Sequence, residues 1–492
     1  MGLAVAGSMP ARVLAQTVPM RRFEISESAM RPGNVDSYRR AVAAMLQLPP
    51  TDPRNWYRQA LVHVLDCPHG NWWFLPWHRS YLGWFERTCR KLSGDPAFTL
   101  PYWDWTASPQ VPAAAFEGVL DPNDPAFVAA FSTFRQRMDG ALTTLWASFD
   151  AHQRAALALR GLDTAASFWR AAEDMFFERP NARGVYKAAP SLDAATRLTV
   201  SAATVGSALG STSFAGRPGG SVGFGSGTAP HHSARGRKGV LESQPHDNVH
   251  VALGGANGGF MMSMLSPVDP LFYLHHANVD RLWDVWTRRQ AVAGRSALPV
   301  GTDLAAWSGE TFRFFCDEEG AAVAQATPGT HGTPAAFGYD YSPGFGEVAP
   351  TVAAVPQATS SFDGVVTSAR IGSPSPAGGL VRIPAGSVAQ GKTATTTVSL
   401  DLAHGDEGRR FRVVATAGER PRRDIGAISI FGHHPTGTQT FSVPLPPDLV
   451  GGAGEVALDV RVLPIAPAAG GRVAARLGAL QPKVSGIAVV ID

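Results

Sequence analysis

The 492-residue sequence contains little cysteine, little net charge and no long apolar run. Its three cysteines, Cys67, Cys89 and Cys316, are too few for a disulfide scaffold and leave at least one thiol for other chemistry. A net charge of +3 is too small to indicate a nucleic-acid partner or an anionic surface. No stretch approaches the roughly 18 apolar residues that a membrane-spanning helix needs. The sequence therefore predicts neither a nucleic-acid partner nor a membrane partner.

The N-terminal stretch MGLAVAGSMPARVLAQ lacks the basic segment and the twin arginine of a complete export signal. Its small apolar residues, with Val-Leu-Ala before Gln16, are nevertheless typical of the end of a secretory signal. Residues 1–21 are therefore interpreted either as a truncated signal or as a plain N-terminal extension. A periplasmic, secreted or cytoplasmic location stays open.

The spacing of apolar residues changes once along the chain. From about residue 22 to residue 291 it indicates helices, for example over 126–149 and 164–178, and Gly94 is a stop signal for the helix that begins at Pro76. Residues 346–377 are rich in Pro, Gly and Ala and are predicted to be a linker. From residue 378 to 492 apolar and polar residues alternate, which is typical of an antiparallel β-sandwich. The predicted strands are 395–402, 409–417, 425–431, 455–465 and 485–491.

Histidines are concentrated in two short stretches, of which the first holds His63, His69 and His78. Residues 51–53 (Thr-Asp-Pro) predict the start of the helix that carries His63, and Pro76 the start of the next helix. The loop between these helices can bring the three side chains together. A single histidine is more often a hydrogen-bonded core residue, but three within sixteen residues of aromatic-rich sequence favour a metal site.

The second stretch begins with His246 and His250, which are four residues apart and so share one helical face. The proline before His246 predicts a helix start. A third ligand must come from a later helix that contains both His275 and His276. His276 lies four residues before Asp280, an available acceptor for its second ring N–H, although geometry alone does not exclude His275.

The residue types narrow the choice of metal. Carboxylate-bridged di-iron proteins use Glu and Glu-x-x-His pairs, which neither stretch contains. A single catalytic zinc needs three histidines rather than six. Imidazole also suits zinc and nickel, but two facing sites of three imidazoles each favour a pair of copper ions that binds dioxygen.

Four motifs in order carry a family resemblance: PHGNWWFLPWHRSYLGWFE, PYWDW (101–105), PHDNVH (245–250) and DPLFYLHHANVDRLW (269–283). Together they resemble the tyrosinase, catechol oxidase and haemocyanin family of type-3 copper proteins. The resemblance implies that residues 22–345 form a copper-binding catalytic domain with a four-helix-bundle core. It implies two copper ions, each held by three histidines: His63, His69 and His78 for the first, and His246, His250 and His276 for the second.

The resemblance also implies roles for residues around the coppers. Cys67, two residues before His69, matches a cysteine that forms a thioether to that histidine. Phe74 resembles an aromatic residue that packs over the copper pair, and Glu242 resembles a glutamate that holds a water near the site. One departure is the gap between His63 and His69, which is shorter than in most members.

Two further positions concern substrate access and proton transfer. Asp247, directly after His246, occupies a position where the family frequently has Asn or Gly. Ser263 falls where the family has a gate residue above the first copper, although a one-residue shift of the loop would place Met262 or Met264 there.

The resemblance implies an oxidase that uses O2 to hydroxylate monophenols at the ortho position and to oxidise o-diphenols to o-quinones, as in melanin formation. Its expected partners are small phenols such as L-tyrosine and L-DOPA, and Asp247 and Glu242 would orient a water that deprotonates the phenol. One alternative is an oxidase restricted to diphenols or aminophenols. Another is a haemocyanin-like oxygen carrier, which a single copper-binding unit and a small gate residue disfavour. The oligomeric state is not indicated.

The β-rich tail is similar to the C-terminal domain of plant polyphenol oxidases, which implies a bacterial member with a plant-like tail. We expect the tail to cover the copper site and to insert an apolar side chain from IFGHHPTG (430–437). The linker would then permit release by proteolysis. The rival hypothesis is a purely stabilising domain that docks elsewhere.

Overall fold

The computed structural model describes residues 20–27, 31–178, 183–217, 220–347, 364–369, 378–384, 387–388, 392–403, 405–432, 437–450, 454–466 and 483–491. A helical domain is followed by a tail of antiparallel sheets, in the predicted order. No helix within the described ranges is long and apolar enough to cross a membrane. Most of the predicted N-terminal extension, and residues 433–436 of the predicted covering loop, lie outside the described residues.

The helical domain is built around one large core of buried aromatic and aliphatic side chains. Its strands β1 (Met20–Arg22) and β2 (Tyr339–Tyr341) pair in parallel and join the two ends of the domain. Whether its helices form a four-helix bundle stays a prediction. The helices in the described part of the chain, the last of which lies in the tail, are α1 (Asn34–Gln47), α2 (Trp56–Asp66), α3 (Phe74–Ser93), α4 (Pro125–Ser148), α5 (Ala151–Ala158), α6 (Ala165–Glu178), α7 (Ala194–Thr199), α8 (Ala202–Leu209), α9 (Asp247–Gly254), α10 (Leu271–Val292), α11 (Thr302–Gly309), α12 (Pro328–His331) and α13 (Pro447–Val450).

The start of α2 differs from the sequence-based prediction. Asn55 caps this helix, because its side chain accepts hydrogen bonds from the backbone N–H groups of the next residues. Asp52 instead accepts from the backbone N–H of Arg54 at 2.8 Å, so residues 51–53 form a turn. The predicted stop of α3 is confirmed, since Gly94 takes the left-handed conformation at φ 69°.

The start of the second histidine helix also differs. Residues Glu242–His246 form a π-helical turn that continues directly into α9. Pro245 therefore lies inside a wide turn rather than at the first position of a helix. A wide turn tolerates proline because its hydrogen-bonding pattern is already irregular there.

Within its described residues, the tail consists of two four-stranded antiparallel sheets that share one apolar core. In order, one sheet is β3-β10-β5-β8 and the other is β4-β9-β6-β7. The five strands expected from the sequence are present. The strands are β3 (Gly364–Ala369), β4 (Gly378–Ile383), β5 (Ala394–Leu402), β6 (Arg410–Ala417), β7 (Arg423–Ser429), β8 (Gly437–Leu445), β9 (Val456–Pro464) and β10 (Lys483–Ile491).

Strand β3 corrects the predicted linker at residues 346–377. It lies inside that stretch and pairs with the C-terminal strand β10, with Val365 opposite Val490. The first sheet therefore begins before the predicted boundary at residue 378. Composition concealed this strand because its short apolar run stands among Pro, Gly and Ala residues.

The edge strands β7 and β8 face the helical domain. An edge strand has unpaired backbone groups that must be covered. Those groups bind the histidine-bearing segment that leads into α9: the side-chain amides of Gln244 and Asn248 donate to the carbonyl of Ala427, and Ser243 Oγ donates to the carbonyl of Ser442. The tail thus packs directly on the segment that carries His246 and His250.

Candidate binuclear metal centre

The first three predicted ligands converge from a helix, a loop and a second helix. His63 lies on α2, His69 in the following loop and His78 on α3. Gly70 has φ 74°, a left-handed conformation that lets the loop turn back after His69. The three ring centroids are 5.4, 5.7 and 5.7 Å apart, a nearly equilateral triangle. This is the arrangement that three imidazoles adopt around one ion.

The second triad is tighter. His246 precedes α9, His250 lies on α9 and His276 lies on α10. Their ring centroids are 4.6, 5.0 and 5.2 Å apart. Nε2 of His250 lies 3.0 Å from Nε2 of His276. Two nitrogens that each bind a metal ion at about 2 Å are separated by about this distance.

The two triads face each other. The rings of His78 and His276 stack with centroids 4.2 Å apart and planes inclined by 9°. The rings of His69 and His246 are 5.5 Å apart. The two candidate metal positions are therefore neighbours in one buried centre.

Hydrogen bonds on the far side of the rings aim the ligand nitrogens. Nδ1 of His63 donates to the carbonyl of Met264 at 2.7 Å, and Nδ1 of His250 donates to the carbonyl of Met261 at 2.8 Å. Likewise His78 Nδ1 donates to the carbonyl of Phe74 at 2.7 Å. A proton on Nδ1 leaves the lone pair on Nε2, the atom that then binds a metal ion.

Buried ring nitrogens without a hydrogen-bond partner in both triads fit a bound metal ion. Among the described residues, Nε2 of His63 and Nε2 of His246 have no hydrogen-bond partner although both are fully buried. Burial lowers the pKa of both rings well below the usual value, and that of His78 to about 3. The imidazoles are therefore neutral and able to bind metal. A buried nitrogen without a partner is costly, and a bound ion removes that cost.

His275 and His276 are distinguished by their hydrogen bonds. Nε1 of Trp105 donates to Nδ1 of His275 at 3.1 Å. A neutral His275 must then carry its proton on Nε2, so neither of its nitrogens is free to bind a metal ion. This favours His276, but not for the reason that the sequence suggested. Asp280 does not accept a hydrogen bond from His276; it binds Arg79 at 2.6 Å and the tyrosine hydroxyls of β2.

Cys67 lies beside the first triad. Its Sγ is 3.7 Å from Nδ1 and 3.8 Å from Nε2 of His69, and 3.4 Å from Nε2 of His78. Nearly equal distances to the two nitrogens put the sulfur on the plane that bisects the His69 ring through Cε1. Burial raises the pKa of the Cys67 thiol well above its usual range.

Phe74 lies between the triads, as expected of an aromatic residue that packs over both metals. Its ring centroid is 4.7 Å from that of His78 and 4.7 Å from that of His246. Its backbone carbonyl also fixes His78. One residue therefore contacts both halves of the centre.

The two predicted carboxylates are both buried beside the second triad. Oδ1 of Asp247 accepts from Nδ1 of His246 at 2.9 Å, and burial raises the pKa of Asp247 to about 7. Glu242 accepts from the backbone N–H of Gly70 at 2.6 Å and from the hydroxyl of Ser226 at 2.7 Å. Glu242 thereby braces the loop that carries His69.

Lys238 is a residue that the sequence analysis missed. Its side chain is 0% exposed, with Nζ 2.6 Å from Oδ2 of Asp247 and 3.8 Å from Oε1 of Glu242. The available signal was its spacing, because Lys238 lies four residues before Glu242 and nine before Asp247.

Ser263, the predicted gate residue, is fully buried in the loop before α10. The hydroxyl of Ser263 is used within its own loop, where it donates to the carbonyl of Phe260 and accepts from the N–H of Leu265. Met262 instead packs with Val251 and with the tail residue Phe431. Whether Ser263 or Met262 is the gate residue stays a prediction.

Phe431 enters the centre from the tail, directly after β7. Its ring stacks on His250 with centroids 4.1 Å apart and approaches His69 and His246 at 5.2 and 5.4 Å. The side chain is 0% exposed, and the next residue, Gly432, donates its N–H to the carbonyl of Met262. An apolar side chain from the predicted segment 430–437 thus contacts ligands of both triads.

Comparison with known proteins agrees with this geometry. The family model described as the common central domain of tyrosinase matches residues 41–289. (+)-Larreatricin hydroxylase of Larrea tridentata is 29% identical over 52% of this chain and 39% of its own length. A tyrosinase of Hahella sp. (strain CCB-MM4) is 28% identical over 63% of this chain and 60% of its own length. The chain therefore spans less than two thirds of the length of these relatives.

Solved structures share the fold across both domains. A latent aurone synthase (polyphenol oxidase) has a TM-score of 0.60 at 19% identity and covers 97% of this chain and 90% of its own. Latent apple tyrosinase has a TM-score of 0.56 at 19% identity and covers 97% of this chain and 98% of its own. The two buried histidine groups fit the binuclear copper of that family. On the central-domain match and these histidines, the chain belongs to the tyrosinase family of copper proteins.

Proposed function

We propose that this protein hydroxylates monophenols at the ortho position and oxidises o-diphenols to o-quinones with O2, acting on small phenols such as L-tyrosine and L-DOPA. The observation that carries the proposal is the position of the Phe431 ring. The phenyl ring of Phe431 stacks on His250, with the two ring centroids 4.1 Å apart, and it contacts ligands of both triads. A pocket that holds this ring against the ligands has the shape for a phenol ring when Phe431 leaves.

Bound copper would be held by the six histidines and would supply the activation of dioxygen. The chain itself binds and orients the phenol and excludes water. In the proposed complex the substrate ring takes the position of Phe431, between His250 and Met262. Phe74 forms the opposite aromatic contact with His78 and His246.

Removal of the phenol proton is the step for which the carboxylates are proposed. Asp247 and Glu242 lie on either side of Lys238, at 2.6 and 3.8 Å. Each carboxylate oxygen can accept more than one hydrogen bond, so both groups retain capacity for a water molecule. We assign them the orientation of a water that accepts the phenol proton.

The alternative with an observation in its favour is an oxidase restricted to diphenols. Met262, which packs with Phe431, is bulkier than the expected gate residue Ser263. A larger side chain above the pocket would hinder the approach that a monophenol needs for hydroxylation. Relative rates on the two substrate classes separate the alternatives.

The test compares initial rates on L-tyrosine and L-DOPA for the copper-loaded Phe431→Ala chain, with and without Asp247→Gly. Asp247→Gly should lower hydroxylation of L-tyrosine by about 100-fold, the usual contribution of a general base, and lower L-DOPA oxidation much less. Asp247→Asn is the matched control, because its amide oxygen can still accept from His246. Equal losses on both substrates would show that Asp247 is structural. Absence of L-tyrosine hydroxylation before any change at Asp247 would favour the diphenol-restricted oxidase.

A thioether between Cys67 and His69 is a second expected result. The sulfur lies on the plane that bisects the His69 ring through Cε1, so that carbon is the atom we expect it to join. After copper loading in air, the peptide that contains both residues should be two hydrogens lighter than its unmodified mass. Protein loaded under argon is the control. Complete alkylation of Cys67 in active, denatured enzyme would exclude the crosslink.

A further inference from the structure

Lys238 is a buried cation whose position neither the histidine triads nor the phenol chemistry explains. Its side chain is 0% exposed, and the carboxylates of Asp247 and Glu242 lie beside Nζ at 2.6 and 3.8 Å. Taking an ammonium group out of water is costly even when it is paired. An apolar residue of similar volume would fill the space without this desolvation cost. The charged Lys238 side chain is therefore expected to have a specific effect on its neighbours.

This effect concerns Asp247, whose two carboxylate oxygens have different partners. Oδ2 is bound by Lys238, and Oδ1 accepts from Nδ1 of His246 at 2.9 Å. The bond at Nδ1 directs the opposite ring nitrogen, Nε2 of His246, into the metal centre, where it has no hydrogen-bond partner among the described residues. Lys238 and His246 therefore bind the two ends of one carboxylate.

The tail holds Lys238 from the other side. The backbone N–H of Lys238 donates to the carbonyl of Thr440 at 3.0 Å, and its carbonyl accepts from the hydroxyl of Ser442 at 2.6 Å. The ring of Phe441 lies 5.6 Å from Nζ. All three tail residues belong to β8, the edge strand that covers the helical domain.

We propose that Lys238 is a positioning residue of the second copper site and that β8 of the tail holds it in place. A continuous series of contacts leads from Ser442 through Lys238 and Asp247 to His246. The tail thus supports the second copper as well as covering it with Phe431, and copper retention at that site depends on a residue that contacts no metal ligand directly.

The first test is Lys238→Met in the full chain, measured as copper retained per chain after dialysis against graded EDTA, with no substrate present. Loss of a group that orients a metal-binding histidine typically weakens metal affinity by about 10- to 100-fold. We expect one of the two coppers to be lost at an EDTA concentration that is correspondingly lower than for the unchanged protein. Because no phenol is present, failure of the proposed phenol chemistry would not affect this result.

A double-mutant cycle separates positioning from general stability. If Lys238 acts through Asp247, then Lys238→Met should add little further copper loss in an Asp247→Asn background. A purely structural role predicts the same additional loss in both backgrounds. Equal losses would overturn the proposal.

A milder pair of variants keeps the proposal testable if Lys238→Met does not fold. Ser442→Ala removes only the tail hydroxyl that binds the carbonyl of Lys238. Ser429→Ala removes an equally buried tail hydroxyl, which binds the side chain of Asn248 in the same interface. Ser442→Ala should weaken copper retention more than Ser429→Ala at a comparable loss of melting temperature. Equal retention in the two variants would contradict the role of β8.

Discussion

Replacing Phe431 with alanine is expected to raise the rate of L-DOPA oxidation by the full-length, copper-loaded protein roughly 10- to 100-fold. The ring is fully buried against His250, Met262 and Val251. Burying a phenylalanine side chain stabilises the covered state by about 1.5–3 kcal/mol, which corresponds to that range of occlusion. The alanine side chain no longer reaches the ligands, so the pocket becomes available without removal of the tail. Initial rates at saturating copper provide the measurement.

Phe411→Ala is the matched control for this prediction. Phe411 lies on β6 in the core between the two sheets, and it is as well buried as Phe431. Its loss should destabilise the tail without opening the pocket. If Phe411→Ala activates the protein as strongly as Phe431→Ala, the effect comes from loosening of the tail. Unchanged oxidation in Phe431→Ala would support the rival hypothesis of a purely stabilising domain.

Proteolysis in the linker is a less direct test of the same idea. Removal of the tail withdraws Phe431, but it also removes the backbone carbonyls of Ala427 and Ser442, which accept hydrogen bonds from the segment Glu242–His246 and from α9. The side chains of Ser243, Gln244 and Asn248 then keep only their partners within the helical domain. We therefore expect Phe431→Ala to raise the rate of L-DOPA oxidation without the loss of interdomain hydrogen bonds that removal of the tail would cause.

The histidine ligands could be predicted because their information is local. His246 and His250 share a helical face by spacing alone, and His63, His69 and His78 are joined by one short loop. The strands β5, β6, β9 and β10 were equally accessible, since one face of each is more buried than the other. Such patterns need no knowledge of what packs against them.

Strand β8 and Lys238 could not be predicted in this way, and both lie at the interface of the two domains. The C-terminal half of β8 is buried on both faces, one against the sandwich and one against the helical domain, which removes the alternation that reveals a strand. Pro444 is tolerated there because β8 is an edge strand. In the sequence, Lys238 is typical of a surface residue. It is buried only because Asp247 and the tail pack around it in the fold. The carbonyls of Met261 and Met264 are backbone acceptors, for which the side-chain sequence carries no signal.

His276→Ala is expected to reduce bound copper from two ions to one per chain and to abolish oxidation of L-DOPA. Nε2 of His276 lies 3.0 Å from Nε2 of His250, so its loss leaves the second site with two ligands. A site with two imidazoles in place of three binds its ion far more weakly, and in the proposed function the two coppers would activate dioxygen together. Copper content by elemental analysis and oxidation of L-DOPA in the Phe431→Ala background are the two measurements.

His275→Ala is the matched control, because it removes a neighbouring imidazole of the same helix. His275 accepts a hydrogen bond from Nε1 of Trp105 through Nδ1, which leaves its proton on Nε2 and no lone pair for a metal ion. Its loss should cost about 1 kcal/mol of stability, the typical value of one hydrogen bond, and should leave two coppers bound. The opposite pattern, with copper lost from His275→Ala and retained in His276→Ala, would reverse the assignment. It would also require the Trp105 hydrogen bond to break when copper binds, since that bond and a metal ion at Nε2 of a neutral His275 exclude each other.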